Sequence, residues 1–221
     1  MRKQSTGRLL HKRKFQQALL AWFSAYQRDL PWRRTFDPYH VLVSEMMLQQ
    51  TQVDRVIPKY AEWLEKYPTL EALAEADLDD VKSTWKGLGY NIRPVRLHSI
   101  ACETVAEYGG ELPREAEKLQ QFTGIGRYTA GAVASLAYRQ DAPILDTNVR
   151  RVLFRIFVGE GEMRSSAMEN RLWEIAEKTL PRGQAWEFNS ALMDFGATWC
   201  TAFRPQCTAC PMADFCHQRR L

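Results

Sequence analysis

The sequence predicts an all-α protein, on three observations. Phe15, Leu19, Trp22, Phe23 and Tyr26 fall at i, i+4, i+7, i+8 and i+11, the apolar stripe of an amphipathic helix. Pro31, Pro38, Pro58, Pro68, Pro94, Pro113, Pro143 and Pro181 punctuate the chain and mark helix ends and loops. No segment alternates apolar and polar residues for long enough to make a strand set, and no internal repeat is visible.

Taken in order, residues 1–14 form a basic tail. They hold Arg2, Lys3, Arg8, Lys12, Arg13 and Lys14 and no acid, and without these six the other 24 bases face 26 acids. The tail therefore carries the whole positive excess. It is either a non-specific phosphate seeker or a solubilising extension. A helix follows from Phe15. Segments Asp29–Asp37 and Gln140–Thr147 read as joints, and neither is a Gly/Ser linker. Ala142–Leu145 reads as a connection entering a helix. Met168, Leu172, Ile175 and Ala176 repeat the helical stripe, with Glu169 and Glu174 off it.

Bulk properties exclude several classes. With 221 residues, 45% hydrophobic and 25% charged, the chain is ordinary globular material of one to two domains, able to bury a core without staples. No apolar run approaches the roughly 18 residues of a membrane span. The basic N-terminus lacks the apolar stretch of a signal peptide, which implies a cytoplasmic protein.

Four of the five cysteines crowd the C-terminus in the pattern C-x6-C-x2-C-x5-C: Cys200, Cys207, Cys210 and Cys216. A four-sulfur set without a secretory signal indicates a metal site rather than disulfides. Zinc and an iron–sulfur cluster both suit it. Only one CxxC pair is present, which favours iron–sulfur. Cys102, alone in a helical stretch, reads as a buried apolar residue.

Residues 115–138 read as helix, a Phe122-Thr123-Gly124-Ile125-Gly126 turn, and a second helix from Arg127 to Tyr138. The two glycines let backbone amides approach a ligand, and the helix start offers free N–H groups to a phosphate. A plain turn is the ordinary alternative. Ala130, Gly131, Ala132 and Ala134 favour close helix packing and a rigid phosphate clamp. Glu45 lies in Val43-Ser44-Glu45-Met46-Met47-Leu48, and burial of such a carboxyl suits a general acid, against the ordinary role of a solvated helix face. Asp146 precedes a helix after Pro143-Ile144-Leu145 and is a natural N-cap, a role compatible with facing a cleft.

Together the hairpin, an Asp about twenty residues beyond it and the four-cysteine terminus resemble the endonuclease III superfamily of helix-hairpin-helix DNA glycosylases. Within it, Ser44-Glu45-Met46-Met47-Leu48-Gln49-Gln50-Thr51-Gln52-Val53 and Gly87-Leu88-Gly89-Tyr90 resemble the adenine DNA glycosylase (MutY) branch. The resemblance spans about Trp22 to Cys216. It implies a two-lobed helical fold. One lobe is a six-helix barrel (30–141) carrying the hairpin; the other joins 15–29 to 142–221 and holds a 4Fe-4S cluster on Cys200, Cys207, Cys210 and Cys216. The cluster shapes a loop around Arg204 that meets phosphates. The partner implied is double-stranded DNA with a mismatch or lesion, bound by a monomer without any membrane, with the target nucleotide flipped out.

The resemblance also implies roles. Glu45 matches the acid that protonates N7 of adenine and assists water. Asp146 matches the carboxylate beneath the sugar and Asn148 its support. Tyr128 stands where bifunctional relatives carry a Schiff-base lysine, which implies a monofunctional enzyme that leaves an abasic site. Gln50 and Tyr90 match wedges in the base stack. Gly124, Gly126, Arg127 and Thr129 match DNA contacts, and Ser190 and Arg33 are expected at the base. Four departures stand out. The sequence holds no MutT-like domain after Cys216, Ser190 replaces the usual Gln or Glu, Thr147 replaces Gly, and Asn91 replaces a second Tyr. They open a rival substrate, thymine or uracil opposite guanine, since short thymine glycosylases share this Tyr and Asp combination. The Gln49-Gln50-Thr51-Gln52 run favours adenine. From other classes, a catalytically silent DNA-binding module is disfavoured by the intact Glu45 and Asp146, and an iron–sulfur redox protein would need neither hairpin nor wedge.

Overall fold

The computed structural model describes residues 9–220. In chain order its helices are α1 (Lys12–Tyr26), α2 (Pro38–Leu48), α3 (Val53–Lys66), α4 (Leu70–Ala74), α5 (Leu78–Thr84), α6 (Ile92–Tyr108), α7 (Ala116–Leu119), α8 (Arg127–Leu136), α9 (Thr147–Phe157), α10 (Ser166–Thr179), α11 (Ala185–Asp194) and α12 (His217–Arg220). A π-helical turn, Phe195–Trp199, continues α11. No strand occurs among the described residues, in keeping with the all-α expectation. No described helix is long and apolar enough to cross a membrane. Arg2, Lys3 and Arg8 of the basic tail lie outside the described residues. The chain divides into two compact units: Asp29–Gln140, and the residues up to Arg28 joined to those from Asp141 onward.

Unit Asp29–Gln140 is built around α2. Pro38 occupies its first turn, where a missing N–H costs nothing. The Asp37 carboxylate caps it, accepting from Tyr39 N at 2.8 Å and His40 N at 3.2 Å. Every residue from Val41 to Met47 is buried. A helix covered on all sides is a core helix, and any polar group on it needs a partner. Trp63 of α3 donates its indole N–H to Tyr39 Oη at 3.0 Å, and Tyr39 in turn donates to Tyr67 O at 2.8 Å. Trp85 meets Trp63 edge-on, centroids 5.3 Å apart. Thr69 caps α4 and Asp77 caps α5 through their own side chains.

Three sequence expectations are revised in this unit. Pro58 lies inside α3 rather than at its end. The first helix of the hairpin is one turn, Ala116–Leu119, and the second ends at Leu136. Cys102 is half-buried, with Sγ 3.7 Å from both Ala74 O and His98 Nδ1, because its helix position faces the end of α4 rather than the core.

In the other unit α1 buries Phe15, Leu19, Trp22 and Phe23, as the stripe predicts. Tyr26 is the exception: it is 56% exposed and lies along Trp22. Phe15 meets Phe157 and Phe188 edge-on, and Trp22 meets Phe195 in the same way. Asp194, wholly buried, accepts from Arg28 N at 3.0 Å and Arg28 Nε at 2.6 Å. The 142–145 connection is held by Asn189, whose amide donates to Ala142 O at 2.9 Å.

Candidate active site

Glu45 sits in the middle of α2, 3% exposed among Val43, Met46 and Met47. The phenol of Tyr128 donates to Glu45 Oε2 at 2.6 Å. Tyr128 is the second residue of α8, so the helix start that follows the glycine hairpin also carries the acid's partner. The phenol thereby fixes the orientation of a buried carboxyl.

The hairpin takes glycine where its backbone would strain any other residue. Gly124 has φ +103°, and a Cβ there would meet Arg96 Cδ at 2.6 Å. Gly126 precedes α8 in extended conformation with no side-chain cap, and both Gly126 and Arg127 are exposed. The first-turn N–H groups of this ten-residue helix are therefore placed for an anion. Thr129 is 3% exposed. It sits on the face of α8 that carries the buried Ala130, Val133 and Ala134.

Gln50 and Tyr90, forty residues apart, meet at the surface of the same unit. The Tyr90 hydroxyl donates to Gln50 Oε1. Both are exposed, and both hold left-handed backbone, φ 54° and 47°. Two side-chain-bearing residues in that region signal a locally enforced geometry.

In the other unit Asp146 caps α9. Its Oδ1 accepts from Val149 N at 2.6 Å, and its Oδ2 accepts from Asn148 Nδ2 at 3.3 Å. Burial pushes the Asp146 carboxyl above its ordinary 3.8, with the bonds from Val149 and Asn148 opposing the shift. Arg151 extends the relay. Its Nη2 donates to Asn148 Oδ1 at 2.8 Å and to Gly196 O at 2.6 Å, and its Nε donates to Cys200 O at 2.8 Å. Gly196 allows this approach, since a Cβ there would stand 2.8 Å from Asn148 Cβ. The Asp146 carboxylate and the Cys200 backbone thus belong to one hydrogen-bonded chain.

Cys200, Cys207, Cys210 and Cys216 line one cavity of about 370 Å³ with Phe195, Trp199 and Arg155. Arg155 Nη1 lies 3.5 Å from Cys200 Sγ, and Cys216 Sγ lies 3.2 Å from Arg155 O. Burial first, then the neighbouring thiols, pushes Cys210 up to about 11; Cys216 is raised by the same two effects. Among the described residues no three His, Cys, Asp or Glu side chains are arranged to hold a single metal ion.

Ser190 lies on α11 and is 0% exposed. Its hydroxyl is enclosed within the helix packing. Arg33 is half-buried in the turn Pro31–Arg33. Arg151, Gly196 and a third residue, Arg93, were not picked out from the sequence. Arg93 and Arg151 are cations at positions where α6 and α9 bury apolar side chains, and that mismatch is the signal that could have found them. Gly196 offers no comparable signal.

A sequence model of the HhH-GPD superfamily of base excision DNA repair proteins matches residues 43–178. The chain belongs to that superfamily. It is 44% identical over 215 residues to the adenine DNA glycosylase of Homo sapiens, covering 93% of this chain and 39% of that one. It is 43% identical over 196 residues to the adenine DNA glycosylase of Mycolicibacterium smegmatis, covering 88% and 66%. The chain thus spans about two fifths of the length of the mammalian relatives it matches. Among solved structures it resembles a thermostable thymine-DNA glycosylase at TM-score 0.87 and 32% identity, covering 95% of this chain and 96% of that one. A trapped endonuclease III–DNA covalent intermediate matches at TM-score 0.80 and 24% identity, covering 96% and 98%, which supports the shared fold alone.

Proposed function

We propose that the protein is a monofunctional DNA glycosylase of base excision repair that hydrolyses the N-glycosidic bond of a flipped-out adenine, opposite 8-oxoguanine or guanine. The observation that carries the reading is the bond from Tyr128 to Glu45. It puts a neutral phenol, not an amine, beside a buried carboxyl at the start of the hairpin helix. With no lysine at position 128, a Schiff base there is unavailable, and water is the acceptor of the sugar.

Breaking the bond leaves electrons on the departing base and positive charge on the deoxyribose. Glu45 gives the base its proton at N7 and then accepts one from water; Tyr128 holds that carboxyl in place. Asp146, ionised, stabilises the cationic sugar, and Asn148 fixes its orientation. Gln50 and Tyr90 enter the base stack to hold the duplex open. The α8 start, with Gly124, Gly126 and Arg127, takes a backbone phosphate, and Arg204 takes another. Arg33 lies near the extruded base.

The four cysteines suit a 4Fe-4S cluster. The donor set is four thiols without histidine, all of them lining one cavity, and all-thiolate ligation is what such clusters take. Bound there, such a cluster supplies a structural cross-link for the 200–216 loop. Arg151 and Arg155 hold the Cys200 carbonyl at one end of it.

A second reading, release of thymine or uracil opposite guanine, is favoured by the likeness to the thymine-DNA glycosylase over nearly the whole of both chains. The test is a single-turnover assay on duplexes with A opposite 8-oxoguanine, A opposite G, T opposite G and U opposite G, half of each reaction treated with alkali. Adenine release with strand scission only after alkali is the expected result. Scission without alkali refutes the monofunctional mechanism. Preference for T or U establishes the second reading, and tight binding without release from any duplex leaves a silent module.

A further inference from the structure

Arg93, the second residue of α6, is 2% exposed. No carboxylate is among its bonded partners. Its charge is met by oxygen dipoles from two separate stretches of chain. Nη1 donates to Met46 O at 2.8 Å, Met47 O at 3.0 Å and Gln49 O at 2.7 Å. Nη2 donates to Leu88 O at 3.0 Å, Gly89 O at 3.0 Å and Thr51 Oγ1 at 3.3 Å. The first group comes from the end of α2, where orphan carbonyls and the negative end of the helix dipole attract a cation. The second is dominated by the turn before Tyr90. The guanidinium also lies over the rings of Trp85 and Tyr90, 5.2 and 5.5 Å from their centroids.

One planar fork therefore joins two loops that the sequence separates by forty residues. Immediately beyond each anchor stands one of the left-handed residues: Gln50 follows Gln49, and Tyr90 follows Gly89. Such backbone persists only where its surroundings over-determine it, and Arg93 is what surrounds both. Thr51 reinforces the joint, its hydroxyl 3.3 Å from both Gln49 O and Leu88 O. A lysine could not replace the fork, because three donors on one nitrogen cannot serve two separate groups of acceptors, one at each terminal nitrogen of the guanidinium.

We propose that Arg93 is the positioning residue that presets the Gln50–Tyr90 pair as a rigid wedge, so that duplex opening needs no reordering of either loop. The proposal rests on the reading above in taking duplex DNA as the partner. Arg93 does not touch the reacting atoms, so its effect belongs to base extrusion and not to bond cleavage.

The test compares Arg93→Lys with the unaltered protein on two duplexes, one with adenine opposite guanine and one with the same adenine opposite an abasic-site analogue. The unpaired adenine needs little help to leave the stack. Excision of the paired adenine should fall by about 100-fold, the effect of an ångström-scale misplacement, while the unpaired adenine is excised nearly as before. Thr51→Val keeps the guanidinium and serves if Arg93→Lys does not fold; it should give a smaller loss with the same bias toward the paired duplex. Equal loss on both duplexes, or no loss in a folded variant, overturns the proposal. Emission from 2-aminopurine at the target position reports extrusion without excision. If the unaltered protein releases no base from either duplex, the adenine reading fails, and emission still decides Arg93: a smaller rise in the variant upholds its role, an equal rise ends it.

Discussion

The two carboxylates singled out for chemistry live in opposite kinds of surroundings. Glu45 is an interior residue of a core helix, bonded to a phenol that brings no formal charge. Asp146 stands at the end of a helix, where Val149 N and Asn148 Nδ2 both point at it. The first setting encloses the carboxyl in a core helix and gives it a phenol as donor. In the second, burial raises the Asp146 carboxyl, and the two donors oppose that rise without cancelling it. The contrast teaches that a carboxyl inside a helix is partnered by a distant side chain, whereas one at a helix start is partnered by its own first turn.

The comparison can be broken outright. Asp146→Asn should lower base release by on the order of 10³-fold, the scale of losing a preorganised charge partner, with duplex affinity unchanged; single-turnover rates and filter binding measure the two. The same variant should raise Tm at neutral pH. A carboxyl whose value is raised by folding stabilises the protein below its unfolded value, and that contribution is lost as pH climbs through the raised one. An amide keeps the cap without the charge.

Glu45→Gln should cost at least about 10²-fold in release, the lower range for general acid catalysis. Unlike the Asp146 variant, its loss should shrink on a base that departs readily without a proton. A pH–rate profile sharpens the pair further. Activity should fall about tenfold per pH unit on the acid side as Asp146 takes up a proton, and the fall should begin above the ordinary aspartate value of 3.8. The smallest effect expected is at Gly196. Gly196→Ala puts a Cβ 2.8 Å from Asn148 Cβ and should destabilise the fold by about 1–3 kcal/mol, read as a lower denaturation midpoint.

Legibility in the sequence followed the same divide between side chains and backbone. The stripe of α1, the cap at Asp146 and the glycine hairpin were readable because each rests on residue type at fixed spacing. The bond between Tyr128 and Glu45 was not, because it joins residues 83 apart through the packing of α8 on α2. Arg93 was invisible for a further reason. Five of its six acceptors are main-chain carbonyls, which every residue possesses and no residue type announces. The burial of Thr129 and Ser190 escaped the sequence too, since a small polar residue fits a packed helix face as readily as a ligand surface.

The account stands on proton-assisted departure of adenine against a fixed anion. The most direct measurement is release of 7-deazaadenine, which lacks the N7 that Glu45 is proposed to protonate, from a duplex otherwise identical to the proposed adenine substrate. The account predicts that this duplex is bound as tightly and that no base leaves within the time that clears adenine. Release at the rate of adenine would contradict it.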